Sequence, residues 1–156
     1  MRTYEIASRT LAPQPTAACY ATLSVAEIGE WLGAVLPAVA AHLERNGAGP
    51  AGPPYARYHR VGHGRFAVEA GFPASRTVEA EGDVKPSELP GGLAAMAMHV
   101  GPFSEMAAAY EGVMRFIADE PGTPQGDPWE IYLSDPADHP DPSSWRTEVV
   151  QPYRRG

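Results

Sequence analysis

Two stretches of the sequence, GPAGPPYARYHR at 49–60 and TPQGDPWEIYLS at 123–134, share one pattern. Both contain Pro-x-Gly-x-Pro, then an aromatic residue, and then a tyrosine three positions later. The two tyrosines, Tyr58 and Tyr132, are 74 residues apart (132 − 58). Proline and glycine before a short run of aromatic and apolar residues are typical of a strand entered from a turn. The repeat therefore predicts that the chain contains the same strand twice.

The same order of elements surrounds each copy. The first copy follows extended residues at 4–11 and 18–25 and a helix that begins at Ser24, where Ser24-x-x-Glu27 has the spacing of a capping box. The second copy follows a predicted strand at 93–100 and a helix opened by Gly101-Pro102. Each copy is also followed by a hairpin partner, and the partners match as Phe66-x-x-Glu69 and Trp145-x-x-Glu148.

This duplication predicts an α+β fold. We expect one domain over 1–156, built as a tandem βαββ duplication with a mostly antiparallel sheet, two helices and a ligand groove at the pseudo-twofold. The half-repeats are expected at about 1–76 and 91–156, with a linker at 77–90.

The composition restricts the class of protein. The chain has 156 residues and a net charge of −7, without a basic stripe that could neutralise phosphates, so we expect no nucleic-acid partner. A single cysteine, Cys19, excludes an internal disulfide and fits a reducing compartment. The N-terminus has no apolar signal core, and no apolar run is long enough to span a bilayer. We therefore expect a cytoplasmic protein without a membrane partner.

No motif indicates a metal or a cofactor. His59 and His63 are four residues apart, but the turn around Gly62 disfavours helical metal ligation. The loop DPADHPDP at 135–142 gathers aspartates, yet its prolines and the lack of EF-hand spacing indicate a solvated loop. The sequence has no phosphate-binding loop and no nucleophile elbow.

The two copies of the strand differ at one informative position, where the first has Ala56 and the second has Glu130. Side chains alternate along a strand, so Glu130 and Tyr132 share one face, and the apolar Trp129 and Ile131 share the other. We expect the apolar face to pack under the helices and Glu130 to give the groove a charged floor. An unpaired carboxylate among aromatic side chains is costly, and a cationic apolar ligand would supply the missing charge.

Other residues extend this hypothesis. Glu148 and Glu69 occupy matching positions: Glu148 shares a face with Arg146 and Val150, and Glu69 shares a face with Ala67 and Gly71, whose small side chains indicate open space. Alternatively, Glu130 is exposed or paired with Arg57 or Arg146, and the tyrosines are ordinary half-buried sheet residues.

The second half of the chain resembles the GyrI-like small-molecule-binding domain, which includes the effector-binding domains of multidrug-sensing regulators of the MerR and AraC types. PPYARYH and VEAGFP extend the similarity into the first half. Four groups of residues carry it: His99, Gly101, Pro102 and Phe103; Ala109 and Tyr110; Glu130, Tyr132, Asp135 and Pro136; and Thr147, Glu148, Val149 and Pro152.

The resemblance implies a groove that binds bulky, aromatic and often cationic compounds, without a cofactor. Carried onto this chain, it gives Glu130 and Glu148 as the anionic contacts. The wall candidates are Tyr55, Tyr58, Tyr110, Tyr132 and Trp145, with Glu69 and His99 as further ligand-binding candidates; a hydrogen-bonded strand-end histidine is the alternative for His99. The regulators fuse this domain to a DNA-binding helix-turn-helix, whereas the first predicted strand here starts almost at Met1. We therefore expect no DNA-binding domain in this chain.

Three functions follow as hypotheses. The first is a stand-alone, promiscuous binder of bulky hydrophobic and cationic small molecules, in which Met96 and Met98 contribute if they reach the groove. The second is a hydrolase that opens the cyclopropane ring of DNA-alkylating natural products, with Glu130 or Glu148 as the base and a groove tyrosine as the donor. The third is a protein that modulates a larger protein target. Turnover of a substrate would distinguish the second from the first.

Overall fold

The computed structural model describes residues 4–135 and 138–156, so Pro136 of the strand-end motif lies outside the described residues. The helices are α1 (Val25–Arg45) and α2 (Ala107–Asp119), with short 3-10 turns at Phe103–Glu105 and Pro142–Ser144. The strands are β1 (Ile6–Leu11), β2 (Gln14–Ser24), β3 (Tyr55–Gly62), β4 (Arg65–Pro73), β5 (Lys85–Leu89), β6 (Gly92–Val100), β7 (Gly122–Pro124), β8 (Trp129–Tyr132) and β9 (Arg146–Arg155).

The chain forms two compact units. The middle unit is Ala12–Gly91, and the terminal unit comprises the residues up to Leu11 together with those from Gly92 onward. The order strand, helix, strand, strand occurs in both, as β2-α1-β3-β4 in the middle unit and as β6-α2-β8-β9 in the terminal unit. The predicted α+β fold with two helices and antiparallel strands is confirmed.

In the middle unit, β3, β4, β2 and β5 pair in that order, and every pair is antiparallel. The predicted capping box at the start of α1 is present: the side chain of Ser24 accepts from the backbone N–H of Glu27, and Oε1 of Glu27 accepts from the backbone N–H of Ser24 at 2.8 Å. The helix ends before Gly47, whose φ of +62° suits a residue without a Cβ. Val39 and Leu43 of α1 are buried in the core of this unit.

In the terminal unit, β1, β6, β9 and β8 pair in that order, again antiparallel, and β7 adds to β9. Helix α2 covers one face of these strands, and its residues Ala109, Val113 and Ile117 pack with Ala97 of β6 and Val149 of β9.

The pairing of the outermost strand in each unit was not specified by the sequence pattern. β1 pairs with β6 of the terminal unit, and β5, which falls inside the predicted linker at 77–90, pairs with β2. The sequence of β5, KPSEL, contains a proline and little apolar character, which is tolerated in an edge strand. None of the helices in 4–135 and 138–156 is long and apolar enough to cross a membrane.

Candidate functional site

The side chain of Glu130 points toward α2. In the pairing of β8 with β9, Glu130 lies opposite Val149 and Tyr132 lies opposite Thr147, and directly opposed residues point to the same face. Val149 packs in the apolar cluster that contains the α2 side chains. The face of β8 that carries Glu130 and Tyr132 is therefore the face that α2 covers.

Two tyrosines hold the carboxylate of Glu130. The hydroxyl of Tyr110, on α2, donates to Oε2, and the hydroxyl of Tyr132 donates to Oε1 at 3.0 Å. Burial raises the pKa of Glu130, while the two hydroxyl donors and the nearby His99 act in the opposite direction. Hydroxyl groups bring no positive charge, and no arginine or lysine among the described residues forms an ion pair with Glu130. The carboxylate is therefore hydrogen-bonded but not neutralised.

The expected orientation of this strand was wrong. We expected Trp129 and Ile131 to pack under the helix, with Glu130 on the opposite face, and the structure shows the reverse. Trp129 is only 3% exposed although it lies on the face away from α2, so hydrophobicity could not distinguish the two faces of β8. The polar hydroxyl of Tyr110 on α2 makes the helix-covered side suitable for a carboxylate.

A row of aromatic rings continues from Tyr132 away from the carboxylate. The ring of Phe103 meets Tyr132 edge to face, with centroids 5.7 Å apart, and lies 4.9 Å from the ring of Trp145 at a tilt. Phe103 is 44% exposed, so the row reaches the surface. The indole N–H of Trp145 donates to the carbonyl oxygen of His139 at 2.7 Å, which fixes the ring.

We refer to Glu130, Tyr110, Tyr132, Phe103 and Trp145 as the Glu130 cluster. Phe103 was not among the predicted ligand-binding residues, although it belongs to the His-x-Gly-Pro-aromatic motif that carries the family resemblance. Its position directly after the strand end was the available signal. The cluster combines a carboxylate that has no arginine or lysine partner among the described residues with aromatic faces that lead to solvent, and apolar cations are attracted to such an arrangement.

His99 is buried beside the Glu130 cluster and is engaged by the protein. Its Nε2 lies 3.0 Å from the carbonyl oxygen of Pro102, and its Nδ1 lies 3.0 Å from the hydroxyl of Tyr4. A carbonyl oxygen only accepts, so Nε2 carries a proton, and in the neutral ring Nδ1 accepts from Tyr4. His99 thus fixes the end of β6 next to the Gly-Pro turn.

Glu148 lies on the other face of the terminal sheet. It is opposite Ile131 on β8 and Met98 on β6, so it points away from α2. Among the described residues it makes no hydrogen bond and no ion pair. Burial raises the pKa of Glu148, and the positive charge of Arg9 acts in the opposite direction. We expected Glu130 and Glu148 to line one groove, but their side chains project from opposite faces of the paired strands.

The remaining predicted residues, Tyr55, Tyr58 and Glu69, belong to the middle unit. The hydroxyl of Tyr55 donates to Oε2 of Glu69 at 2.5 Å, and the hydroxyl of Ser87 donates to the same oxygen at 3.0 Å. Tyr55 is 1% exposed, and burial together with the adjacent carboxylate raises its pKa strongly. Tyr58 meets Phe66 edge to face at 6.2 Å.

Within the described part of the chain, no three His, Cys, Asp or Glu side chains are close enough to hold a metal ion together. The sequence comparison with a family model is decisive for the classification: the model of the GyrI-like small-molecule-binding domain matches residues 4–154. The chain belongs to the GyrI-like family. A comparison with curated proteins finds no match.

Solved structures of GyrI-like architecture superpose on nearly the whole chain. The C-terminal domain of EcmrR matches with a TM-score of 0.85 at 17% identity, over 99% of this chain and 100% of that one. A hydrolase from Listeria innocua matches with a TM-score of 0.73 at 17% identity, over 96% and 92%. SAV2435 bound to tetraphenylphosphonium matches with a TM-score of 0.66 at 13% identity, over 98% and 94%. At these identities the likeness shows a shared fold.

Proposed function

We propose that this GyrI-like protein binds bulky hydrophobic cations at the Glu130 cluster. The observation that carries the proposal is the Glu130 carboxylate, which receives two tyrosine hydroxyls and, among the described residues, no arginine or lysine. A cation that lacks N–H groups could compensate this charge, because the carboxylate oxygens already have hydrogen-bond donors. Tetraphenylphosphonium, the ligand of the similar protein SAV2435, is a cation of this kind.

The energies involved are sufficient for useful affinity. A pair of opposite charges at about 4 Å contributes roughly 4 kcal/mol in an effective dielectric near 20. The faces of Phe103 and Trp145 would each add about 0.5–2 kcal/mol by cation–π contact. Few directional contacts are required, so one site of this kind accepts many ligands, as expected for a multidrug-binding protein that sequesters its ligands.

The first test is a titration with tetraphenylphosphonium followed by calorimetry. We expect Glu130→Gln to weaken binding at least tenfold, equivalent to about 1.4 kcal/mol, and Trp145→Leu to weaken it less. Glu111→Gln is the matched control, because Glu111 is an exposed carboxylate on α2 and its replacement changes the net charge equally. Equal affinity of the wild type and the Glu130 variant would contradict the proposal.

A second candidate function is hydrolysis, which the likeness to the Listeria innocua hydrolase favours. The ring-opening chemistry adds water across a strained cyclopropane bond, with the hydroxyl going to one carbon and the proton to the other. A carboxylate base and a tyrosine donor must act on the same bound molecule, so this function would use Glu130 with Tyr110 or Tyr132, which share one face. Mass spectrometry for the addition of water to a cyclopropane substrate tests it, with Glu130→Gln expected to abolish the product.

A further inference from the structure

Glu148 and Glu69 occupy equivalent positions in the two units, yet their surroundings differ. Glu69 on β4 lies opposite Arg57 on β3 and Tyr20 on β2. Glu148 on β9 lies opposite Ile131 on β8 and Met98 on β6. Both carboxylates point away from the helix of their own unit, so the two glutamates lie on equivalent faces.

The donors that satisfy Glu69 have been replaced around Glu148. Trp129 stands at the position equivalent to Tyr55. Tyr55 lies opposite Gly71, two residues after Glu69, and Trp129 lies opposite Val150, two residues after Glu148. Arg9, opposite Ala94, stands at the position equivalent to Ser87, opposite Thr16. Trp129 does not donate to Glu148, and Arg9 forms no ion pair with it.

The consequence is a carboxylate with unused acceptor capacity. An ionised carboxylate has about four lone-pair positions, and burying it without donors is unfavourable. Glu148 is half-buried between the half-buried side chains of Met98 and Ile131. Such a group is either hydrated or occupied by a ligand that brings its own N–H donors.

Glu130 and Glu148 therefore require different cations. Glu130 already accepts two hydroxyl hydrogen bonds and lacks only positive charge. Glu148 has no hydrogen-bond donor and no ion pair among the described residues, and the positive charge of Arg9 acts on it only from beyond ion-pair distance. A primary ammonium group supplies both charge and donors, whereas a quaternary ammonium or phosphonium supplies charge alone.

We propose that Glu148 forms a second binding site, on the face of the terminal sheet opposite α2, for the ammonium group of a protonated amine whose apolar part contacts Met98 and Ile131. Two N–H groups of the ammonium donate to the carboxylate oxygens of Glu148. The thioether of Met98 and the side chain of Ile131 accept varied apolar groups, so the site selects the ammonium and not one particular molecule. The site does not depend on the Glu130 proposal, because the two carboxylates lie on opposite faces.

The test uses two probes that differ only at nitrogen: naphthylmethylammonium and its N,N,N-trimethyl derivative. We expect Glu148→Gln to weaken binding of the primary amine at least tenfold and to change binding of the trimethyl compound less than twofold. Glu130→Gln should weaken the trimethyl compound more than the primary amine. If only the expected effect of Glu130→Gln were missing, the result would contradict the Glu130 proposal and not the Glu148 proposal.

Arg9 supplies an independent variant. Its positive charge opposes a cation at Glu148, so Arg9→Gln should strengthen binding of the primary amine by about twofold or more. The Glu148 proposal is overturned if Glu148→Gln leaves the affinity of the primary amine unchanged, if it weakens both probes equally, or if the primary amine does not bind to the wild type. Retention of a cooperative urea transition in Glu148→Gln, which removes a poorly solvated charge, shows that the comparison is made on folded protein.

Discussion

The middle and terminal units share one order of strands and helix but differ in the surroundings of equivalent residues. On the helix-covered face, Ala56 of the middle unit is fully buried beside Ala70, whereas the equivalent Glu130 of the terminal unit carries a carboxylate under α2. On the other face, Glu69 accepts two hydroxyl hydrogen bonds at Oε2, whereas Glu148 has none among the described residues. Glu69 is therefore hydrogen-bonded within the middle unit, whereas the two carboxylates of the terminal unit are the ones that we propose as ligand sites.

This contrast indicates that a carboxylate at a duplicated position depends on the neighbouring side chains. A carboxylate is stable at the Glu130 position because Tyr110 reaches it from the helix and Tyr132 reaches it from its own strand. The middle unit has a tyrosine at the second of these positions, Tyr58, but an alanine where the carboxylate would be. Charge, donors and space must change together for a site to appear.

The largest predicted effect comes from placing the carboxylate in the wrong copy. Ala56→Glu buries a charge opposite Ala70 in the α1 core, and we expect it to lower the free energy of unfolding by more than about 3 kcal/mol. Urea denaturation measures the loss. Ala56→Gln separates the effect of size from that of charge, and the Glu variant should be the less stable at pH 7. A loss below about 1 kcal/mol for Ala56→Glu would show that the middle unit tolerates a carboxylate as the terminal unit does.

Part of this arrangement was visible in the sequence. The duplicated Pro-x-Gly-x-Pro-aromatic pattern and the capping box at Ser24 depend on local chemistry, and both lie where the sequence predicts them. The family resemblance was likewise confirmed over residues 4–154.

What failed depended on contacts distant in sequence. The face on which Glu130 lies is decided by Tyr110, twenty residues earlier on a helix, while Trp129 is buried on the face away from that helix. The strand β5 lies inside the segment predicted as a linker, and it supplies Ser87 to Glu69. The separation of Glu148 from Glu130 follows from the register of β8 with β9, which no local pattern specifies.

A smaller effect on stability is expected when the hydrogen bonds to Glu69 in the middle unit are removed. Tyr55→Phe removes the buried donor to Glu69 and also the partner of the Thr16 hydroxyl, so we expect a loss of about 2 kcal/mol of unfolding free energy. Glu69→Gln should destabilise the protein as well, and a double-mutant cycle with Tyr55→Phe should show positive coupling. Glu148→Gln is the matched change in the terminal unit, and it should be neutral or stabilising, since Glu148 has no donor to lose. Equal effects of the two glutamine variants would remove the proposed difference between the units.

The smallest predicted effect is a change in the pH dependence of stability. Burial raises the pKa of Glu130 above the value of 4.5 for an ordinary glutamate, so the folded protein holds the proton more tightly than the unfolded chain does. The stabilising contribution of protonated Glu130 is complete below pH 4.5 and is lost as the pH rises through the folded pKa. Each unit of pKa elevation corresponds to about 1.4 kcal/mol. Glu130→Gln should therefore flatten the curve of unfolding free energy against pH above 4.5, measured by urea denaturation at a series of pH values.

Two variants show whether the slope of unfolding free energy against pH arises from Glu130 and the tyrosines that donate to it. Glu111→Gln changes an exposed carboxylate on α2 and should leave the slope as it is. Tyr110→Phe removes a donor that favours the ionised form, so the pKa of Glu130 should rise further and the slope should extend to higher pH. If Tyr110→Phe left the pH dependence unchanged, the tyrosine would not be stabilising the carboxylate. The carboxylate of Glu130 would then depend on contacts other than the Tyr110 hydroxyl.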